Sequence, residues 1–444
     1  MPTLAPLHEL VYPAPRVPLL DGSTVTQVYL DNAASAPPLI AVAEQVAEFL
    51  GNGQYAAVHR GMGHTSQWCT KLYEDARAVV RAFLGAPPDA HVIWTNNTTG
   101  AINTAAHAFG SAPVIVFAFE HHANLLPWQL CDLVLLPVPP STEALLAALE
   151  AELIRRPAEL VAVTGASNVT GECPPLAEIA TLAHRYGARV LVDGAQWAAH
   201  HPVNMTALGV DWVACSGHKL GAPLGVGALV GPALPAGRAP LIRGGAVVDF
   251  VLPDGHAFWL DHPAHRHEPG SPNVVGVLAT VTAMATLMAA GMERVAMAEQ
   301  LLTELTANAL AGVFGDSVEI YRMWADAPRI GVLAFNVVGI PYALLAARLA
   351  FEFGIASRHG CFCAHPLVAY LRGIDLAQGH IIGAARHDGG ELPGAVRVSF
   401  GLDSDFDMVL RLIEALLDII KRPSRWEYRL SPDKSQCAPV GYSQ

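Results

Sequence analysis

Short apolar runs alternate with longer amphipathic stretches through the middle of the chain. The runs cover residues 92–94, 114–119, 133–138, 160–164, 190–192, 212–215 and 227–230. Apolar runs this short, bounded by turn residues, read as buried strands. Helix-length stretches lie between most of them, for example at 66–84, 142–156 and 176–186. This alternation predicts an α/β fold with a mainly parallel, seven-stranded sheet covered on both faces. Ligands of such sheets gather at the carboxyl ends of the strands. Thr98, Thr99, His121, Asn168, Asp193, Ser216 and Lys219 all fall there.

The pattern changes after about residue 275. One long helix is expected over 275–310, bridging to a second domain. That domain reads as α+β, with strands at 331–338 and 395–399 and helices at 342–353 and 405–420. The Pro-rich segment before residue 28 is expected to pack against it. The expected division is a large domain over 28–299, a small one from 1–27 and 300–421, and a polar, partly disordered tail over 422–444.

Composition narrows the class. The chain has 444 residues, 52% hydrophobic and 15% charged, which suits a folded globular protein with a full core. Its net charge of -12 argues against nucleic acid. The apolar stretch 274–292 is interrupted by Thr280, Thr282, Thr286, Gly276 and Gly291, so it reads as a core helix and no membrane partner is expected. The N-terminal residues lack the basic-then-apolar pattern of a signal peptide. Seven scattered cysteines do not form a disulfide framework, and a cytoplasmic location is expected. The 19 histidines show no HExxH-like spacing, so no metal site is expected.

The chemistry concentrates in "VLVDGAQWAAHHPVNMTALGVDWVACSGHKL", residues 190–220. Asp193 ends one apolar run, and Ser216-Gly217-His218-Lys219 follows another. A lysine placed so can form a Schiff base with a cofactor aldehyde. A strand-end aspartate can keep a pyridine nitrogen protonated. Together they point to pyridoxal phosphate (PLP). Upstream, "TNNTTGAIN" follows a strand and opens a helix, where Thr98, Thr99 and Gly100 either hold a phosphate or simply cap the helix. His121 of "FEHHANLLPW" either stacks on a flat ring or belongs to a hydrogen-bonded loop pair. Asn168, or Gln196, can donate to a phenolic oxygen, although a turn Asn near Gly is common without function.

"GIASRHGCFCAHPL" holds Arg358, Cys361 and Cys363. A cysteine among Arg358, His359 and His365 suits a nucleophile, while a structural thiol pair is one alternative and a zinc site another, although C-x-C with flanking His gives no standard four-ligand spacing. Arg397 is a lone cation in the apolar strand "AVRVSF". Burial there demands a carboxylate partner, either structural or the substrate's.

These motifs resemble the class V aminotransferase family of PLP enzymes, and within it the SufS-type (group II) cysteine desulfurases and selenocysteine lyases. The resemblance spans about residues 28–417 through "YLDNAASAPP", "YAAVHRGMGHTS", "TTGAIN", "EHHANLLPW", "SNVTG", "VDGAQ", "SGHK", "RGG", "EPGSPN" and "RHGCFCAHP". It implies fold type I of the PLP-dependent transferases. It implies Lys219 as the Schiff-base lysine, Asp193 at the pyridine nitrogen and His121 on the ring. Asn168 and Gln196 would touch the phenolic oxygen, and Thr98, Thr99, Ser216 and His218 the phosphate. Ser271 would reach the phosphate of a neighbouring subunit, implying a homodimer. Arg397 would bind the amino-acid carboxylate, with Asn32, His59, Arg60 and Arg358 on the substrate side. Cys363 would carry a persulfide made from L-cysteine and hand it to a sulfur-acceptor protein.

The chain departs from that pattern in two places. SufS-type enzymes read His-His where this chain has Cys361-Phe362, so a second thiol stands two residues from the nucleophile. The segment between Cys363 and Arg397 is longer than usual. Two alternatives therefore stay open: a related lyase or epimerase acting on selenocysteine, cysteine sulfinate or a cysteine conjugate, and a catalytically weak member that mainly binds partners.

Overall fold

The computed structural model describes residues 5–223, 226–374, 392–432 and 434–441. The long segment between Cys363 and Arg397 therefore lies largely outside the described residues.

Two compact units emerge. The larger holds 35–166 and 173–293, and the smaller holds 6–34, 167–172 and 294–444. Relative to the expected division, residues 28–34, 167–172 and 294–299 group with the smaller unit. The Pro-rich N-terminal segment belongs to the smaller unit, where Leu20 N donates to Phe351 O at 3.1 Å, and Val28–Tyr29 after it pairs in parallel with Ile355–Ala356.

The large unit is built on β1 (His91–Thr95), β2 (Pro113–Phe117), β3 (Asp132–Leu136), β4 (Leu160–Thr164), β5 (Arg189–Asp193), β6 (Trp212–Ser216) and β7 (Gly227–Gly231). Their order across the sheet is β1-β7-β6-β5-β4-β2-β3. The sheet is parallel except at β7, which runs antiparallel to both β1 and β6. β4 and β6 are buried at every position, as a strand covered on both faces must be. Helices α1 (His64–Phe83), α2 (Thr98–Phe109), α3 (Thr142–Arg155) and α4 (Leu176–Arg185) supply the cover. Asn97 fixes the start of α2, its side chain accepting from Gly100 N at 2.9 Å.

The single helix expected over 275–310 is two helices, α5 (Val274–Ala290) and α6 (Met292–Phe314). Gly291 breaks them at φ +86°, backbone that favours glycine. The chain passes from one unit to the other in the first turn of α6. Among the described residues no single helix is long and apolar enough to cross a membrane.

The small unit carries an antiparallel sheet of β8 (Val318–Tyr321), β9 (Val332–Val337), β10 (Arg358–Gly360) and β11 (Ala395–Ser399), in the order β8-β9-β11-β10. α7 (Tyr342–Phe353) and α9 (Phe406–Lys421) pack into its core, and α8 (His365–Leu371) follows the cysteine loop. Part of the tail is ordered among the described residues. Tyr428–Leu430 and Cys437–Pro439 form a hairpin, β12 and β13, whose Leu430 and Cys437 pack on the same core. Those two are cross-strand partners in the hairpin.

Candidate active site

In the large unit the strand ends deliver the expected side chains. Thr98 opens α2 and meets the end of β6. Its N–H donates to Ser216 Oγ at 2.7 Å, and the two hydroxyls lie 2.7 Å apart. Thr98, Thr99 and Ser216 thus meet at the start of α2, and a helix N-terminus is a setting that favours anions. Gly227 lets β7 pass against the Asn97 backbone, which a Cβ at that position would strike. His218 and Lys219 sit in the short turn after β6. Burial and the neighbouring Lys219 charge lower the His218 pKa.

Asp193 ends β5 and is buried. Burial raises its pKa, opposed by a hydrogen bond from Ala195 N at 3.0 Å and by the Lys219 charge. A buried carboxylate in this setting favours a cationic N–H partner. Gln196 follows three residues on and is also buried. His121 caps the turn after β2, its Nδ1 accepting from Ala123 N at 3.0 Å, which fixes the ring's orientation. Its neighbour Glu120 is fully buried, accepts from Asn124 and Thr164 N, and has its pKa pushed well up by burial. Glu120 was not legible as a site residue, although it lies inside "FEHHAN".

His59 and Arg60 line a cavity of about 390 Å³ with Ser271, all within the large unit. His59 Nε2 lies 2.9 Å from Glu74 Oε1.

The small unit gathers the other candidates. Arg397 Nη1 donates to Asn168 O at 2.8 Å, and Nη2 donates to Asp31 Oδ1 at 3.1 Å. The partner that burial of Arg397 demands is thus present within the chain. Arg358 shares that carboxylate, with Nη2 2.9 Å from Asp31 Oδ2. Asp31 is the residue sequence reading missed, although it stands within "YLDNAASAPP". The amide of Asn168 donates to Phe362 O at 2.7 Å, so its N–H is engaged in the cysteine loop. Asn32 Nδ2 donates to Ser399 O and Tyr29 O, locking the N-terminal segment to β11.

Cys363 is exposed and Cys361 half-buried. They flank a tight turn in which Ala364 N donates to Cys361 O at 2.9 Å. Phe362 and Cys363 both have φ +54°, an uncommon conformation for side-chain-bearing residues that concentrates at functional sites. The Phe362 ring lies under the Arg397 guanidinium, 5.2 Å from its centroid. One turn therefore presents the Cys363 thiol, while the residue before it packs on the buried arginine.

Comparisons with known proteins bear on the family and the fold. The family model described as Aminotransferase class-V matches residues 28–412. A cysteine desulfurase of Shigella sonnei is 38% identical over 355 residues, covering 77% of this chain and 85% of its own. The cysteine desulfurase CsdA of Escherichia coli superposes with a TM-score of 0.75 at 32% identity, covering 89% of this chain and 95% of that one. A cysteine desulfurase of Thermococcus onnurineus superposes with a TM-score of 0.74 at 29% identity, with the same coverage.

Proposed function

The chain belongs to the class V aminotransferase family, and from that premise we propose that it is a PLP-dependent cysteine desulfurase. L-cysteine gives L-alanine, and the sulfur remains as a persulfide on Cys363. The observation that carries this reading is the exposed Cys363 thiol, on a turn packed against the buried Arg397.

The large unit's residues fit PLP. The N-terminus of α2, with Thr98, Thr99 and Ser216, suits its phosphate, with His218 beside it. The buried Asp193 suits its pyridinium nitrogen, and Lys219 suits its aldehyde. His121 and Gln196 are the residues proposed to orient the ring; Asn168, proposed with them, belongs to the small unit, where its amide donates to Phe362 O.

When bound, the cofactor supplies a sink for the electron pair left at the substrate Cα. Lys219 Nζ removes the Cα proton and later returns protons to the product. Asp193 holds the proton on the ring nitrogen throughout. Arg397, with Arg358 beside it, binds the amino-acid carboxylate by charge-assisted hydrogen bonds. Asn32, His59 and Arg60 are proposed, from the family resemblance alone, on the substrate side. The Cys363 thiolate attacks the substrate sulfur, so an S–S bond forms as the C–S bond breaks. The carbon takes the bonding pair and a proton and becomes the alanine methyl group.

The reading includes a homodimer, with Ser271 of each copy reaching the other's phosphate, and a protein that accepts the persulfide sulfur. It also includes a cytoplasmic location, where the seven cysteines would stay reduced.

The test is alanine release from L-cysteine by wild type and Cys363→Ala, with a thiol reductant present. Alanine from wild type alone is expected. Alanine from both would make Cys363 dispensable and favour the lyase reading. Alanine from neither would remove L-cysteine as the substrate.

A further inference from the structure

Glu74 of α1 receives two imidazoles on one oxygen. His59 Nε2 lies 2.9 Å and His265 Nε2 3.2 Å from Glu74 Oε1. The three ligand-type atoms lie within 4.8 Å of one another, the sole such grouping of His, Cys, Asp or Glu among the described residues. We propose that His59, Glu74 and His265 form a binding site for a divalent transition-metal ion of the zinc class.

Geometry supports the choice. Zinc bonds of about 2.0–2.1 Å in a tetrahedron set ligand atoms roughly 3.3 Å apart. The two measured N···O separations are already close to that edge. Two imidazoles and a carboxylate are a borderline donor set that suits zinc, whereas calcium and magnesium prefer oxygen alone.

Charge and orientation support it as well. Arg77 Nε donates to Glu74 Oε2 at 2.9 Å and so fixes the carboxylate plane. Arg77 is itself paired with the buried Glu268, at 2.7 and 2.9 Å. With neutral imidazoles the group holds two carboxylates and one guanidinium, leaving one net negative charge for a cation. His262 stacks on His265 with ring centroids 3.9 Å apart, which holds the His265 plane. Outer contacts of this kind orient metal ligands.

The site is also reachable. The side chains of His59, Glu74 and His265 are 30%, 34% and 29% exposed. His59 and His265 both line the cavity of about 390 Å³, and a fourth ligand would complete a tetrahedron. The three residues lie 15 and 191 positions apart, so no sequence spacing betrays them.

The experiment uses full-length holoenzyme as wild type, His265→Ala, His265→Gln and a Cys361→Ser/Cys363→Ser double variant. Each is stripped with chelator, incubated with zinc chloride, desalted and assayed for zinc by mass spectrometry. Retained visible cofactor absorption reports that each variant is folded. Wild type and the cysteine double variant are expected to keep about one zinc per chain, and both His265 variants to bind it about a hundredfold more weakly or lose it. X-ray absorption of the wild-type complex is expected to show nitrogen and oxygen at about 2.0–2.1 Å and no sulfur shell near 2.3 Å. Three results would overturn the proposal: no zinc retained by wild type, zinc retained equally by the His265 variants, or zinc lost with the cysteines alongside a sulfur shell.

Discussion

Arg397 and Asp31 stand 3.1 Å apart as an ion pair, with the guanidinium side chain only 4% exposed. Burial lowers the Arg397 pKa, and the Asp31 charge opposes it. The same carboxylate holds Arg358. One acidic residue near the start of the chain thus positions both arginines proposed to meet the substrate.

Arg397→Ala is expected to raise KM for L-cysteine about ten- to hundredfold, because a charge-assisted hydrogen bond contributes roughly 1.5–3 kcal/mol. An unchanged KM would move the carboxylate contact to Arg358. Asp31→Asn leaves a buried guanidinium without its counter-charge, at a cost of about 3–5 kcal/mol. Its urea midpoint is expected to fall well below that of wild type, and an equal midpoint would show that Asp31 is not what stabilises Arg397.

Asp193 predicts a pH effect with opposite signs in the two forms of the enzyme. Its pKa is raised in the fold by burial. Below the ordinary carboxylate range both folded and unfolded chains hold the proton, and the group contributes nothing. As pH rises past the unfolded value, the unfolded chain releases its proton first, and the folded apoenzyme loses relative stability. Asp193→Asn is therefore expected to raise the apoenzyme's melting temperature at pH 7, with the gain vanishing toward pH 4. In the holoenzyme the order reverses, because Asn cannot pair with a protonated ring nitrogen. An apoenzyme variant less stable than wild type at pH 7 would refute the burial argument.

The parts legible in the sequence were those written in local patterns. The seven strands of the large sheet follow from apolar runs, and each observed strand overlaps its run. Strand-end residues such as Asp193, Ser216 and Lys219 follow from where those runs stop. Less legible was anything made by distant residues meeting. Asp31 and Arg397 are 366 positions apart, and neither segment alone says that the two pair. The helix break at Gly291 was hidden because the apolar pattern continues through it and a single glycine is tolerated in many helices. The tail hairpin was hidden because only Leu430 and Cys437 of its short strands reach the core.

Gly227→Ala tests the phosphate cradle without touching any proposed ligand. A Cβ there strikes the Asn97 backbone, and backbone cannot swing aside as a side chain can. Asn97 must move, and with it the first turn of α2 that carries Thr98 and Thr99. The variant is expected to bind PLP about five- to thirtyfold more weakly, since loss of a cap and its donors amounts to roughly 1–2 kcal/mol. Equilibrium dialysis of the apoenzyme against PLP measures this. Unchanged affinity would separate α2 from the phosphate.

Tyr428 reports whether the tail hairpin stabilises the small unit. Its Oη donates to Glu352 Oε1 at 3.0 Å, and Ser424 Oγ donates to the same oxygen at 2.8 Å. Glu352 is also paired with Arg348 of the same helix, at 2.9 Å, and both side chains are buried. A buried carboxylate needs its donors, and one hydrogen bond to a charged group contributes about 1.5–3 kcal/mol. Tyr428→Phe keeps the ring and removes only the donor. Its urea midpoint is expected to fall by that energy with an unchanged slope, and kcat for alanine formation is expected to stay at the wild-type value. An unchanged midpoint would mean that Ser424 and Arg348 satisfy Glu352 alone, and that the hairpin adds packing but no polar anchor.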